Sequence, residues 1–206
     1  MKFAVFVSGN GSNLQAIIEA VKEKKIKAEL ALVFSNRRKA YALKRAEEAG
    51  IKTLCLNPKE YTNPQSYDRD IVISLKENNI DFIVLAGYMK LLTPFFVKEF
   101  PRKILNIHPS LLPSFKGTHS IKDASTYGAK VTGVTIHFVN DKMDNGPIIM
   151  QESIKIHEKE TIVDLEERIH RIEHRIYPKA IQMFVGGRLK VKGRKVEVLD
   201  KSAASE

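Results

Sequence analysis

The chain contains one cysteine, Cys55, in 206 residues, and that scarcity removes whole classes of protein. No internal disulfide can form, no multi-cysteine metal site can be built, and dithiol redox chemistry is excluded. With Leu54 and Leu56 beside it, Cys55 is expected to be a buried structural thiol. Long apolar runs are missing too: no stretch reaches the roughly 18 residues that a membrane-spanning helix needs. The opening Met1–Val7 is too short for a secretory signal and leads straight to Gly9. A cytoplasmic protein without a membrane partner is therefore expected. No repeat or linker breaks the chain, so residues 1–200 are expected to form a single domain and residues 201–206 a frayed tail.

What is present is a 43% hydrophobic fraction, enough for a sizeable core, and a net charge of +10. Such a balance suits nucleic acid, but equally suits small anions such as phosphates and polyglutamates. The excess gathers in Lys22, Lys24, Lys25 and Lys27 around one turn, and in Arg188, Lys190, Lys192, Arg194, Lys195 and Lys201 near the end. Acids are interspersed and no nucleic-acid recognition motif accompanies them, so solvated faces are expected, with no nucleic-acid partner.

Periodicity alternates strand and helix through the first half. Residues 3–7, 30–34, 52–56, 81–86 and 104–108 read as buried strands, separated by helical patterns near 14–21, 40–49, 65–78 and a short one begun by Thr93 and Pro94. That order predicts an α/β fold with a mostly parallel sheet and helices on both faces. After a helix near 120–127, residues 130–139 and 147–156 are two long strands with no helix between them, which predicts an antiparallel extension. A long amphipathic helix spans 161–184, with Thr161 as N-cap and Asp164 completing a capping box, and a small hairpin turns at Gly193. Residues 57–66 read as a surface loop.

Three stretches carry chemistry. Gly9-Asn10-Gly11-Ser12-Asn13 joins a strand to a helix, but Leu14 replaces the third glycine of the dinucleotide fingerprint. A single phosphate on the helix N-terminus is one reading; a plain glycine-rich turn capped by Ser12 or Asn13 is the other. Asn106 and His108 lie one strand period apart and share a face, with Pro109 and Pro113 ending the strand. Asp144 belongs to the turn Asp141-Lys142-Met143-Asp144-Asn145-Gly146-Pro147. Taken together, these residues can carry out acyl transfer to an amine. Asn106 donates to the developing oxyanion, His108 moves the proton, and Asp144 supplies the charge that suits a protonated imidazole, with no serine or cysteine nucleophile.

Ser8–Gln15, Val84–Met89, Leu105–Pro113 and the Asp144–Pro147 turn resemble the phosphoribosylglycinamide formyltransferases, within the 10-formyltetrahydrofolate-dependent formyltransferase family, over about residues 3–190. The resemblance implies a Rossmann-like formyltransferase fold. It further implies transfer of the formyl group of 10-formyltetrahydrofolate, as co-substrate and without a metal, to the amine of phosphoribosylglycinamide in purine synthesis. Asn106, His108 and Asp144 match the family's catalytic asparagine, histidine and aspartate. Gly11, Ser12 and Asn13 would hold the substrate phosphate, and His170, Arg171, Ile172 and Glu173 the glycinamide side. Met89, Lys90, Leu91, Leu92, Asn106 and Asn140, Asp141, Lys142, Met143, Asp144 would surround the folate, with His137 in support. Pro64 stands where relatives often carry a folate-contacting arginine, so either Lys59, Arg69 or Lys90 would supply charge to the glutamate tail, or the contact there would be through backbone only. The partners implied are small molecules, and the assembly a monomer or weak homodimer. Other formyl-folate enzymes, a hydrolase or a tRNA formyltransferase, and a non-catalytic nucleotide or RNA-binding module are the alternatives.

Overall fold

A computed structural model describes residues 1–200; the expected tail at 201–206 lies outside the described residues. Strand β1 (Lys2–Val7) sits inside a parallel set, flanked by β2 (Glu29–Ser35) and β4 (Phe82–Leu85), with β3 (Thr53–Cys55) beyond β2 and β5 (Ile104–His108) beyond β4. Alternation along β1 explains its burial on both faces. Phe3, Val5 and Val7 enter one apolar cluster and Ala4 and Phe6 the other.

Each face is then covered by helices whose apolar stripes match it. The first takes α1 (Ser12–Lys22), through Leu14, Ile17 and Ile18, and α2 (Tyr41–Glu48), through Ala42, Leu43 and Ala46. The other takes α3 (Pro64–Glu77), through Tyr67, Ile71 and Leu75, and α4 (Pro94–Glu99), through Phe96. Helix ends follow their local chemistry. Gly50 (φ 72°) supplies the left-handed residue just past α2, with its N–H on the Glu47 carbonyl at 2.9 Å. The Thr93 hydroxyl caps α4 by accepting from Phe96 N at 3.3 Å.

Downstream of β5 the sheet reverses direction. After α5 (Ser120–Tyr127), β6 (Val131–Phe138) pairs antiparallel with β5, and β7 (Ile148–Lys155) antiparallel with β6. The predicted extension is therefore present, and the β5–β6 register sets Asn106 opposite His137. Helix α6 (Ile162–Val185) returns over the first face, opened by the predicted capping box: Thr161 Oγ1 accepts from Asp164 N at 3.2 Å and Asp164 Oδ2 from Thr161 N at 3.3 Å. The predicted hairpin, β8 (Leu189–Lys192) and β9 (Lys195–Val198), docks on the sheet edge through Ile148 and Lys195. The final order is β3-β2-β1-β4-β5-β6-β7-β9-β8.

Two local expectations change, at the 57–66 loop and at Cys55. The loop at 57–66 holds a 3-10 turn, Pro58–Glu60, capped by Asn57, and α3 begins at Pro64 because the Asn63 side chain accepts from Ser66 N at 2.8 Å. Cys55 is half-buried rather than fully buried, and burial pushes its thiol up. No helix among the described residues is long and apolar enough to cross a membrane.

Candidate active site

Strand order reverses around β1 and β4, and in open α/β sheets the crevice beyond such strand ends takes ligands. A cleft of about 550 Å³ opens there, lined from the loops after β1, β4 and β5, the 139–144 turn and α6.

One end of the cleft is the start of α1. Gly11 occupies the N-cap position at φ 79°, and no side chain caps the helix, so the reading in which Ser12 or Asn13 serves as cap does not hold. The first-turn N–H groups therefore remain available to an anion. A side chain at Gly11 would meet Ala42 Cβ at 2.6 Å, so helix α2 packs directly under the loop. Arg45, one turn along α2, donates from Nε to the Asn10 carbonyl at 3.0 Å and from Nη2 to Asn10 Oδ1 at 3.1 Å, and its guanidinium lies over the Tyr41 ring. Asn13 is held differently: its Nδ2 donates to Glu173 Oε2 at 2.8 Å, and its Oδ1 is buried without a protein partner. Burial raises the Glu173 carboxyl above its ordinary range, against the pull of Asn13 and His170.

The floor of the cleft is β5 and the chain that leaves it. His108 is 4% exposed and its Nε2 donates to the Phe115 carbonyl at 2.9 Å, which leaves Nδ1 facing Asp144 Oδ2 at 3.6 Å. That carbonyl reaches back because the exit from β5 is pinned: Thr135 Oγ1 donates to the Ser110 carbonyl at 2.7 Å and accepts from Leu112 N at 3.0 Å. Two residues past Phe115, Gly117 N donates to Asp144 Oδ2 at 2.9 Å. Asp144 itself lies in the left-handed region at φ 48°, a conformation that aspartate tolerates better than most residues. Its turn approaches β6 so closely that a Cβ on Gly146 would sit 1.6 Å from the Phe138 carbonyl oxygen.

His137 Nδ1 lies 2.7 Å from the Phe138 carbonyl, which can only accept, so Nδ1 carries the hydrogen. In the neutral ring Nε2 is then an acceptor, and Asn106 Nδ2 donates to it at 3.1 Å. Burial lowers the His137 pKa, outweighing the Phe138 carbonyl and Asp144, which is consistent with that neutral form.

The side walls are apolar and exposed. Met89, Leu91 and Met143 are 55%, 67% and 51% exposed, and with Leu92, Asn140, Asp141 and Lys142 they border the cleft. Lys90 borders it also, with Nζ 5.2 Å from the Tyr67 ring centroid.

Some expected site residues lie elsewhere. Helical periodicity turns His170 and Glu173 toward the cleft, three residues apart on one face of α6, while Arg171 points to solvent beside Glu167 and Ile172 packs on the core. Pro64 is exposed at the start of α3 and does not line the cleft; its sequence position reflects helix initiation. Lys59 and Arg69 are outside the lining as well. Arg45 escaped the sequence reading, because its tie to the loop runs between α2 and Asn10, 35 positions away. No group of three or more His, Cys, Asp or Glu suited to a metal occurs among the described residues.

The formyl transferase family matches this chain over residues 1–181. The chain belongs to that family. Phosphoribosylglycinamide formyltransferase of Bacillus subtilis is 42% identical over 185 residues, covering 90% of this chain and 95% of that protein. The Escherichia coli protein of the same name is 42% identical, covering 93% and 90%. The crystal structure of glycinamide ribonucleotide transformylase 1 from Symbiobacterium toebii superposes with a TM-score of 0.95 at 43% identity, covering 97% of this chain and 94% of that one. Within this formyl transferase, the start of α1, the floor of the cleft and its side walls all fall inside the matched residues.

Proposed function

We propose that this formyl transferase moves the formyl group of 10-formyltetrahydrofolate onto the primary amine of phosphoribosylglycinamide, a step of purine synthesis. The observation that carries the reading is a convergence: Asn106, His108 and Asp144 meet in one cleft whose end is the uncapped first turn of α1. That turn, with Ser12 and Asn13, suits a phosphate, and Glu173 beside Asn13 suits the glycinamide side. The walls suit the folate: exposed apolar side chains at Met89, Leu91 and Met143 can cover a flat ring, and the backbone of 89–92 and 140–144 offers hydrogen-bonding groups at its edge. The formyl folate would supply an acyl carbon open to amine attack.

Asn106 has one amide hydrogen on His137 and directs the other to the oxygen that gathers charge as the amine adds. In the neutral ring His108 keeps its hydrogen at Nε2 on Phe115, so Nδ1 is the atom that takes the proton from the attacking amine and delivers it to the folate nitrogen as the bond from that nitrogen to the formyl carbon breaks. Asp144, fixed by Gly117 N, faces Nδ1 and stabilises the charged ring. Lys90 and Lys142, at the mouth, suit the anionic folate tail. The reading of residues 1–200 as one domain is supported by one apolar cluster that begins at Phe3 in β1 and has Val196 of β9 packed against it. A cytoplasmic, monomeric or weakly dimeric protein that takes small molecules and no nucleic acid completes the reading, and the free Cys55 thiol suits a reducing compartment.

The test is an assay of purified protein with both substrates, following folate absorbance. Formyl transfer that requires phosphoribosylglycinamide is expected. Formate release without the amine would instead indicate a hydrolase, and no change with a folded sample would overturn the proposal.

A further inference from the structure

Ser8, the residue between β1 and the glycine loop, has no part in the chemistry above, yet it is 3% exposed and fully bonded. Met89 N donates to Ser8 Oγ at 2.8 Å, and Ser8 Oγ lies 2.6 Å from Asn36 Oδ1. A backbone N–H can only donate, so Ser8 Oγ accepts from Met89, and the Ser8 hydroxyl in turn donates to Asn36 Oδ1. Asn36, at the end of β2, is 8% exposed and held in a tight turn in which Ser35 Oγ accepts from Arg37 N at 3.1 Å. Ser8 N also donates to the Gly87 carbonyl at 3.1 Å, so backbone and side chain grip the chain leaving β4 at two successive points.

We propose that Ser8 and Asn36 form a relay that positions the Met89 peptide, and with it the 89–92 wall that receives the formyl folate. The inference rests on the function proposed above. Its physical basis is the contrast between the wall and its support. Met89 and Leu91 project into solvent at 55% and 67% exposure and gain little packing of their own. Their backbone is fixed from below by buried polar atoms at one end, and at the other by Asp68 Oδ2, which accepts from Thr93 N at 2.7 Å. A backbone surface that must meet the edge of a flat ring needs such preorganisation, because ordering it at the moment of binding would weaken affinity. Ser8 is a positioning residue: it reaches the ligand only through Met89.

Two measurements on the full chain test this. The first needs no substrate: amide exchange of Met89 followed by NMR, with Ala86 N, bonded to the Phe6 carbonyl at 2.9 Å, as internal reference. Ser8→Ala and Asn36→Ala should speed Met89 exchange about tenfold or more while leaving Ala86 unchanged, and Asn36→Asp, which keeps the acceptor, should restore protection. The second is kinetic. Ser8→Ala should raise KM for 10-formyltetrahydrofolate about tenfold, equivalent to about 1.4 kcal/mol, with kcat and KM for phosphoribosylglycinamide changed by less than about twofold. Unchanged Met89 exchange, or equal increases in both KM values, would overturn the relay. Absence of formyl transfer in the parent protein would overturn the proposed function instead, and the exchange measurement would still decide the relay.

Discussion

Asn106 Nδ2 lies 3.1 Å from His137 Nε2 across the β5–β6 pair, and the bond from His137 Nδ1 to the Phe138 carbonyl fixes which way it runs. In the proposed mechanism His137 is therefore assigned the part of a neutral acceptor that orients the asparagine amide rather than that of a proton carrier. His137→Leu should lower kcat roughly ten- to a hundredfold through misplacement of Asn106, with a smaller effect on either KM. Asn106→Ala should cost about 10²–10³ in kcat. Steady-state kinetics of both checks this; a larger loss in the His137 variant than in the Asn106 variant would contradict it.

His108→Ala and Asp144→Asn should each lower kcat by about 10²–10⁴ while far-UV circular dichroism stays unchanged. The double variant should lose little more than the worse single one, because His108 Nδ1 and Asp144 Oδ2 face each other at 3.6 Å and the proposed mechanism has them act as a unit. Near-normal rates in both single variants would remove these two residues from the mechanism.

Glu173 gives a pH prediction with a definite sign. Burial raises its carboxyl above the ordinary 4.5, so its contribution to stability is complete below that value and is lost as pH rises through the folded-state value. Glu173→Gln removes the dependence. Thermal melts should therefore show the variant gaining on the parent from pH 4 to pH 8, while KM for phosphoribosylglycinamide rises. A parent–variant difference that is constant with pH would contradict the sign.

Arg45 ties α2 to the glycine loop through the two bonds to Asn10. Arg45→Ala should raise KM for the phosphorylated substrate about tenfold and leave the formyl-donor KM in place. Arg45→Lys should recover only part, because a lysine lacks the planar fork that makes both bonds. Initial rates with each substrate varied in turn measure the split.

Gly146→Ala should destabilise the fold by about 1–3 kcal/mol, or roughly 2–4 °C per kcal/mol in a chain of this size, because the added Cβ meets the Phe138 carbonyl. Calorimetry reads the shift. Activity should fall along with it, since relief of the clash moves the turn that carries Asp144.

Much of this was legible in the sequence. Period-2 and 3.6 patterns gave the strand–helix alternation, Thr161 with Asp164 and Thr93 with Pro94 marked helix starts, and two strands without an intervening helix announced the antiparallel extension. Asn106 and His108 shared a face because a strand alternates, and Asp144 stood out through its turn. These are local properties, and a few neighbouring residues suffice to impose them. Other features depended on residues far apart in the chain. The pairing of Asn106 with His137 needed the register of β6 on β5, the tie of Asn13 to Glu173 needed α6 to return over α1, and the grip of Ser8 on Met89 needed β1 and β4 to lie side by side. Pro64, Arg171 and Ile172, which the family resemblance put in the site, are the same case: the start of α3 and the turn of α6 leave them outside the cleft lining. Sequence by itself determined which side chains were available and which local geometry each would adopt. Only the tertiary structure decided which of them meet, because contacts between residues dozens of positions apart are set by sheet order and register, to which no single stretch of chain commits.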